Sequence, residues 1–427
     1  MPSPYTVLLG KAVRTIAKAR GGGSALPGLF VEKIDPDFVR STLEPLPYGV
    51  VVISGTNGKT TTTKIVVDLL RSQGLKVFTN RTGSNFVRGV AAALLGEVDS
   101  RGNLDADIAV LELDEAHAVH FVNAIPPRYS LLLNVMRDQL DRFGEIDTTA
   151  GMLHKIALAT TDTVVLNRDD PRLGTAKFTK DIKNASVFSY GTHPDLRKQF
   201  PSDDNLHGGD DAHKATLFSN DTSLQSIKDQ TAKVYYDKKS RDVKLKLSGV
   251  YNILNATAAV ALTRAIMDEN IDEPKMLSAL SEVTPAFGRG ETVVVNGQPC
   301  ELVLVKNPAG FRLSLSSFSP SGVATMIAIN DNYADGRDMS WLWDVDFSSL
   351  KKQGVLSVTG VRAYDMALRL QYNEIQIANI DTDIDIALQK FLDETTDQPK
   401  RIFCTYTAML ALRKKLGKKT KVEDIEV

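Results

Sequence analysis

Cysteine is scarce in this sequence of 427 residues: only Cys300 and Cys404 occur, far apart. That excludes a disulfide framework and any two-cysteine metal knuckle, and it fits a reducing compartment. Net charge is lacking too, because 51 Lys and Arg stand against 52 Asp and Glu. A chain this balanced has no polyelectrolyte signature, so nucleic acid is not expected as a bulk electrostatic partner. No uninterrupted apolar run reaches the roughly 20 residues of a membrane-spanning helix. Lys11, Arg14, Lys18 and Arg20 break every early apolar stretch before a signal-peptide core appears. A soluble, cytoplasmic protein is expected, and its length favours two domains of unequal size.

No acidic residue precedes Glu32, while Val7, Leu8, Val13 and Ile16 interleave with those four basic residues. The pattern predicts a basic amphipathic helix, docked on the domain as most such helices are. The alternative is peripheral contact with an anionic membrane, at its inner face. RGGGSALPG (20–28) then reads as a loop. Residues 1–45 are taken together as an N-terminal helix and loop segment.

From Gly49 short apolar runs alternate with helical periodicity, which predicts an α/β fold with a wound, mainly parallel sheet. Strands are expected in GVVVIS ending at Ser54, LKVFTN (75–80), IAVLELDE (108–115), YSLLLNV (129–135) and TVVLN ending at Asn167. Ile65, Val66, Leu69 and Leu70 recur at helical spacing, and a second helical pattern covers Val250 to Met267. The stretch 193–246 is polar, and is expected to be an insertion with a hairpin or flexible lobe inside a central domain of residues 46–291. A smaller α/β C-terminal domain is expected over 292–427.

The strongest chemical signal is GTNGKTTTT (55–63), directly after the strand ending at Ser54 and opening a helix. Glycines let backbone N–H groups converge on a polyphosphate, and the helix N-terminus adds partial positive charge. Gly55, Thr56, Asn57, Gly58, Lys59, Thr60 and Thr61 are therefore the expected nucleotide-binding set. Lys59 would bridge the terminal phosphates, and Thr60 would place its hydroxyl on magnesium. The spacing is shorter than the eight-residue P-loop pattern, since Ile53 stands five positions before Gly58.

This shortened G-T-N-G-K-T loop resembles that of the Mur ligase superfamily, and the resemblance runs from Arg20 to about Gly417. It implies ATP and Mg2+ as cofactors. It also implies that Glu112, at the end of a strand, helps hold the metal, with Asp114 and Glu115 competing and a solvated strand-end acid as the plain alternative. LLNVMRDQLDRFGEID (132–147) resembles the family's T-N-x-x-x-D-H-L-D block, with Gln139 replacing histidine. The modified lysine of many members has no in-register match, Lys155 being nearest. SGVYNILNATAA (248–259) resembles a nucleotide-contacting block, which makes Asn252 and Asn255 candidates for the base, with helix capping as the competing explanation. Arg289 in FGRGE would contact ATP phosphates or ribose.

Four C-terminal segments, KNPAGF (306–311), NDNYADGRDMSWLWDVDF (330–347), TGVRAYDMALRL (359–370) and YTAMLALRKKLG (406–417), resemble the MurT branch of that superfamily. The resemblance implies amidation of the D-glutamate α-carboxylate of lipid II through an acyl phosphate. It also implies a GatD-like glutamine amidotransferase partner in a heterodimer, for which an aspartate of this chain completes the catalytic triad. Asp338 is the chosen residue, with Asp335 and Asp344 as alternatives and Trp341 and Trp343 as apolar anchors. No zinc is expected, because the polar segment that carries a four-cysteine ribbon in many relatives has none here; His193, His207 and His213 do not replace it. Competing readings are a folylpolyglutamate synthetase-like ligase and a non-catalytic nucleotide-binding scaffold.

Overall fold

The computed structural model describes residues 3–19, 26–80, 87–137, 146–206, 220–247, 249–284, 289–317, 320–395, 397–418 and 420. Three helices lead in: α1 (Pro4–Ala19), α2 (Leu26–Ile34) and α3 (Phe38–Leu43). The expected loop is thus helical from Leu26. Pro27 falls in the first turn of α2, where a missing N–H costs nothing and the fixed φ suits a helix.

Seven parallel strands carry the central domain. They are β1 (Val50–Ser54), β2 (Val77–Thr79), β3 (Ile108–Glu112), β4 (Tyr129–Leu132), β5 (Thr163–Asn167), β6 (Ser186–Thr192) and β7 (Asp221–Lys228). Among the described residues the sheet runs in the order β2-β3-β1-β4-β5-β6-β7, continued by β8 (Thr231–Tyr236) and β9 (Lys239–Lys244). Every residue of β1, β3, β4 and β5 is buried, as a sheet covered on both faces requires. On one face lie α4 (Lys59–Ser72) and the helix Val250–Met267, with Ile65, Val66, Leu69 and Leu70 in the core between them. The other face takes α5 (Val87–Glu97) and α6 (Glu115–Ala124). Val250–Asn270 has the length and hydropathy of a membrane span, contrary to expectation, and its position as an inner helix of the fold accounts for that.

The polar stretch 193–246, expected as a hairpin or flexible lobe, takes the hairpin form. It holds an antiparallel β7-β8-β9 meander hydrogen-bonded to β6. In β8 and β9 the buried residues alternate, with Ala232, Val234, Tyr236 and Val243 pointing into the core, where Leu224 of β7 and Leu245 join them. Arg168, directly after β5, pins the meander. It donates to the Asp221 carboxylate at 2.5 Å and to the Thr192 carbonyl at 2.9 Å.

The second sheet begins earlier than expected, at β10 (Arg289–Val295). It continues with β11 (Gln298–Leu304), β12 (Ala324–Ala328), β13 (Val355–Thr359), β14 (Ile377–Asp381) and β15 (Lys400–Cys404), in the order β10-β11-β15-β12-β13-β14. Only the β10-β11 pair is antiparallel. Phe311, fully buried in the helix Pro308–Ser317, is the hub of this domain's core. Its ring lies 5.0 Å from Phe347, 5.3 Å from Phe403 and 6.4 Å from Trp341. Phe311→Ala should therefore cost about 3–5 kcal/mol of C-terminal-domain stability. Urea unfolding followed by tryptophan fluorescence checks this, and an unshifted midpoint would contradict the central role of that ring.

Candidate functional site

The phosphate loop forms where β1 ends beside β3 and β4, the edge at which open α/β sheets place ligands. Gly55 (φ 136°) and Gly58 (φ 90°) take backbone conformations that side chains resist. Gly58 is also closely covered, because a Cβ there would come within 2.6 Å of the Asn255 side-chain oxygen. The loop is shaped largely from β4. Asn134 accepts from the Asn57 N–H at 2.9 Å and donates to the Asn57 carbonyl at 2.9 Å, while the Thr56 N–H bonds the Asn134 carbonyl at 3.0 Å. Thr56 Oγ1 further exchanges bonds with the Met136 backbone.

Lys59 is almost wholly buried. Its ammonium donates to the Gly55 carbonyl at 2.5 Å and lies 3.5 Å from the Glu115 carboxylate, which is equally buried. Thr60 Oγ1 donates to Glu112 Oε1 at 2.8 Å. Of the three competing acids the structure thus gives Glu112 the threonine and Glu115 the lysine. Asp114 is the residue before α6, in extended conformation at its N-cap. Asn80, at the end of β2, clamps Glu112 by donating to its carbonyl at 2.7 Å and accepting from its N–H at 2.8 Å. Sequence reasoning gave Asn80 no role; its position at the end of an apolar strand was the available signal.

Fit to a magnesium ion rests on the donor set. A hydroxyl and a carboxylate in contact at the mouth of a phosphate loop are hard oxygen ligands, and magnesium habitually takes one or two carboxylates with phosphate and water completing its shell. No cluster of three His, Cys, Asp or Glu side chains that would hold a metal without a nucleotide gathers among the described residues.

Beside the loop a cavity of about 130 Å³ opens between the two domains, lined by Asn57, Gly58, Asn252, Asn255, Lys306 and Leu313 among others. Tyr251 lies on its wall, its ring edge-on to Phe200 at 5.3 Å. Burial pushes its phenol far up, and the hydroxyl has no hydrogen-bond partner among the described residues. A buried donor without a partner costs free energy that a bound ligand would recover. Asn255 lies beyond the first turn of the helix whose N-cap is Gly249, so capping does not explain it, while Asn252 stands at the third position of that helix. The domains meet at Asn307, whose amide donates to Asn57 Oδ1 at 3.3 Å, and where Ala309 and Leu313 pack on Met136.

Several expected residues fall elsewhere. Asp138, Gln139, Asp141, His207 and His213 lie outside the described residues, as does the side chain of Arg289, whose backbone is in β10. Lys155 sits in the helix Ile146–Ala159. In the C-terminal domain Asp335 is buried. It accepts from the Thr407 N–H at 2.7 Å, from Thr407 Oγ1 at 2.5 Å and from the Asn332 N–H at 3.1 Å. Burial raises its carboxyl above the usual range despite those bonds. Asp338 is half-buried, with one oxygen accepting from the Ser340 N–H at 2.9 Å, and Asp344 is exposed. Trp341 is an apolar anchor but Trp343 is not, being 47% exposed. Two residues apart on a 3₁₀ turn, the two rings face different ways.

Residues 53–263 match the model of the Mur ligase middle domain and residues 304–409 that of the MurT ligase C-terminal domain. The chain is 30% identical to the lipid II isoglutaminyl synthase (glutamine-hydrolyzing) subunit MurT of Streptococcus pneumoniae, over 96% of each chain. This chain belongs to the MurT family of Mur ligases. A MurT subunit of Staphylococcus aureus is also 30% identical, over 90% of this chain and 91% of its own. Solved structures share the Mur ligase fold at lower identity. A pseudomurein peptide ligase type C from Methanothermus fervidus superposes with a TM-score of 0.67 at 17% identity, covering 90% of this chain and 80% of its own. A Thermotoga maritima MurF ligase in complex with ADP gives 0.64 at 17% identity, covering 90% and 83%.

For a MurT-family ligase the Thr60–Glu112 pair makes a direct prediction. Glu112→Gln keeps the hydrogen bond but removes the charge, so magnesium-dependent nucleotide binding should weaken at least about tenfold. Isothermal titration with ATP across a magnesium series reads this, and an unchanged magnesium dependence would remove Glu112 from the metal site.

Proposed function

We propose that this chain amidates the α-carboxylate of the D-glutamate residue in the stem peptide of lipid II, using ATP and ammonia. The observation that carries the reading is the assembled Lys59, Thr60 and Glu112 group at the phosphate loop of a chain that has the MurT C-terminal domain. The γ-phosphoryl group passes to a carboxylate oxygen, ADP departs, and an acyl phosphate forms. The lone pair of ammonia then adds to the carbonyl carbon, inorganic phosphate leaves, and the amide loses a proton.

Lys59 would exchange its contacts with Gly55 and Glu115 for the phosphate oxygens and neutralise charge that builds there, which is stabilisation by position and field. Magnesium, when bound through Thr60 and Glu112, supplies further charge neutralisation. The orphan Tyr251 hydroxyl and the amides of Asn252 and Asn255 would orient the nucleotide in the cleft, with Arg289 added on the family resemblance alone. The reaction is assigned to the cytoplasmic face of the membrane, where a lipid-linked precursor and ATP meet.

Ammonia would come from glutamine hydrolysed by a GatD-like partner subunit. Asp338 suits the triad acid better than its neighbours, since Asp335 is consumed by Thr407 and Asn332, whereas the one bond assigned to Asp338 is to its own turn. Two exposed aromatic residues stand in the same segment as Asp338. Tyr333 is exposed before it, and Trp343 after it stacks edge-on against the exposed Tyr372 at 5.0 Å. Aromatics of this kind are enriched where subunits meet.

The test is amidation of lipid II with ATP and magnesium, supplied with ammonium or with glutamine plus a co-expressed GatD-like subunit, read by mass spectrometry. A one-unit mass loss at the glutamate is expected with both donors, and glutamine should serve only with the partner. Ligation of glutamate in its place would sink the proposal. Asp338→Asn should lower glutamine-driven amidation by at least about 10²-fold and spare ammonium-driven amidation, in line with the loss of a triad acid. Equal loss with both donors would move the triad role to another residue.

A further inference from the structure

The first helix turns only part of its apolar surface to the protein. Val7 is fully buried and Gly10 abuts Leu95 and Val31, while Lys11 donates from Nζ to the Val98 carbonyl at 2.6 Å and the Arg14 guanidinium lies over Gly96. Tyr5, Leu8 and Ile16 face outward at 80%, 69% and 53% exposure, with the exposed Ala12 continuing the same stripe. The spacing of three and four residues makes this one helical face.

The second helix repeats the arrangement. Val31 and Gly28 pack inward, Gly28 so closely that a Cβ would meet the Arg88 carbonyl at 1.8 Å, while Leu26, Phe30 and Ile34 project outward once per turn. Two adjoining helices that both expose their apolar stripe leave a larger outward apolar face than isolated surface leucines account for. Charge sets the character of what covers it. The chain as a whole carries a net charge of -1, yet its first 34 residues, which include both helices, hold five basic residues against Glu32 alone.

We propose that α1 and α2 form a membrane-contact face whose occupant is an anionic phospholipid bilayer. The apolar stripes would enter the boundary between headgroups and acyl chains, and the net positive charge of the segment would draw it to an anionic surface, the two contributions that set the affinity of interfacial helices. The proposal deepens the functional reading above, on which it rests for its purpose, because an enzyme held at the bilayer meets a lipid-linked substrate by diffusion in two dimensions.

Flotation of the purified full-length chain with vesicles tests it without any substrate. The chain should float with vesicles of phosphatidylglycerol and phosphatidylcholine, remain largely unbound with phosphatidylcholine alone, and lose binding as salt rises from about 0.1 to about 0.5 M. Leu8→Ser with Ile16→Ser, and separately Phe30→Ser with Ile34→Ser, should each lower the bound fraction about tenfold. ATP affinity should stay unchanged in both variants, which shows that the fold is intact. No flotation with anionic vesicles, equal binding to neutral ones, or undiminished binding by both variants would each overturn the proposal. A lipid-independent dimer that the same substitutions dissolve, without flotation, would assign the face to a second copy of the chain. Should the ligase reading fail, the amidation assay with detergent-solubilised lipid II fails while vesicle binding persists, so the two are separable.

Discussion

Two asparagine side chains hold the reactive end of the central sheet in shape. Asn134, leaving β4, bonds both the N–H and the carbonyl of Asn57, and Asn80, leaving β2, does the same for Glu112. A side-chain amide supplies a donor and an acceptor at fixed separation, so it serves a backbone segment as a neighbouring strand would. The glycine conformations of the phosphate loop, the buried lysine and the Thr60–Glu112 contact are all set relative to these clamps. Preorganisation of this kind lets a site act on a transferring phosphoryl group without rearranging during the reaction.

The same constraint reaches the second domain. Asn57 is held from behind by Asn134 and touched from the front by Asn307, so the phosphate loop is also a point of domain contact. Met136 extends the contact with an apolar patch against Ala309 and Leu313. Changes in domain position are thereby coupled to the loop that holds the nucleotide, and the cavity between the domains is where its occupancy would be felt.

Much of this was legible in the sequence, for identifiable reasons. The helix Val250–Met267 and the strand Thr163–Asn167 stand where periodicity placed them, because both are long or apolar enough for burial to dominate. Of the β7-β8-β9 meander only a hairpin, or else a flexible lobe, was expected, since strands with many polar residues give a polar average that hides a period of two. The start of α2 was obscured by the glycines and proline around it. Within the site, glycine spacing pointed to Lys59 and Thr60. Yet the division of labour between Glu112 and Glu115 depends on which strand end stands opposite which, and no local pattern carries that. The burial of Asp335 was equally hidden, being fixed by Thr407 more than seventy residues later.

The edges of the nine-stranded sheet deserve a last consequence. At one side it stops with β2, only three residues long. At the other it stops with β9, whose sequence KSRDVK exposes Lys239, Ser240, Asp242 and Lys244 and buries Val243 alone. A very short strand and a heavily charged one are both poor templates for an incoming chain. Self-association by strand addition is thus discouraged at both ends of the sheet, where unpaired backbone N–H and C=O groups would otherwise be offered to an incoming strand.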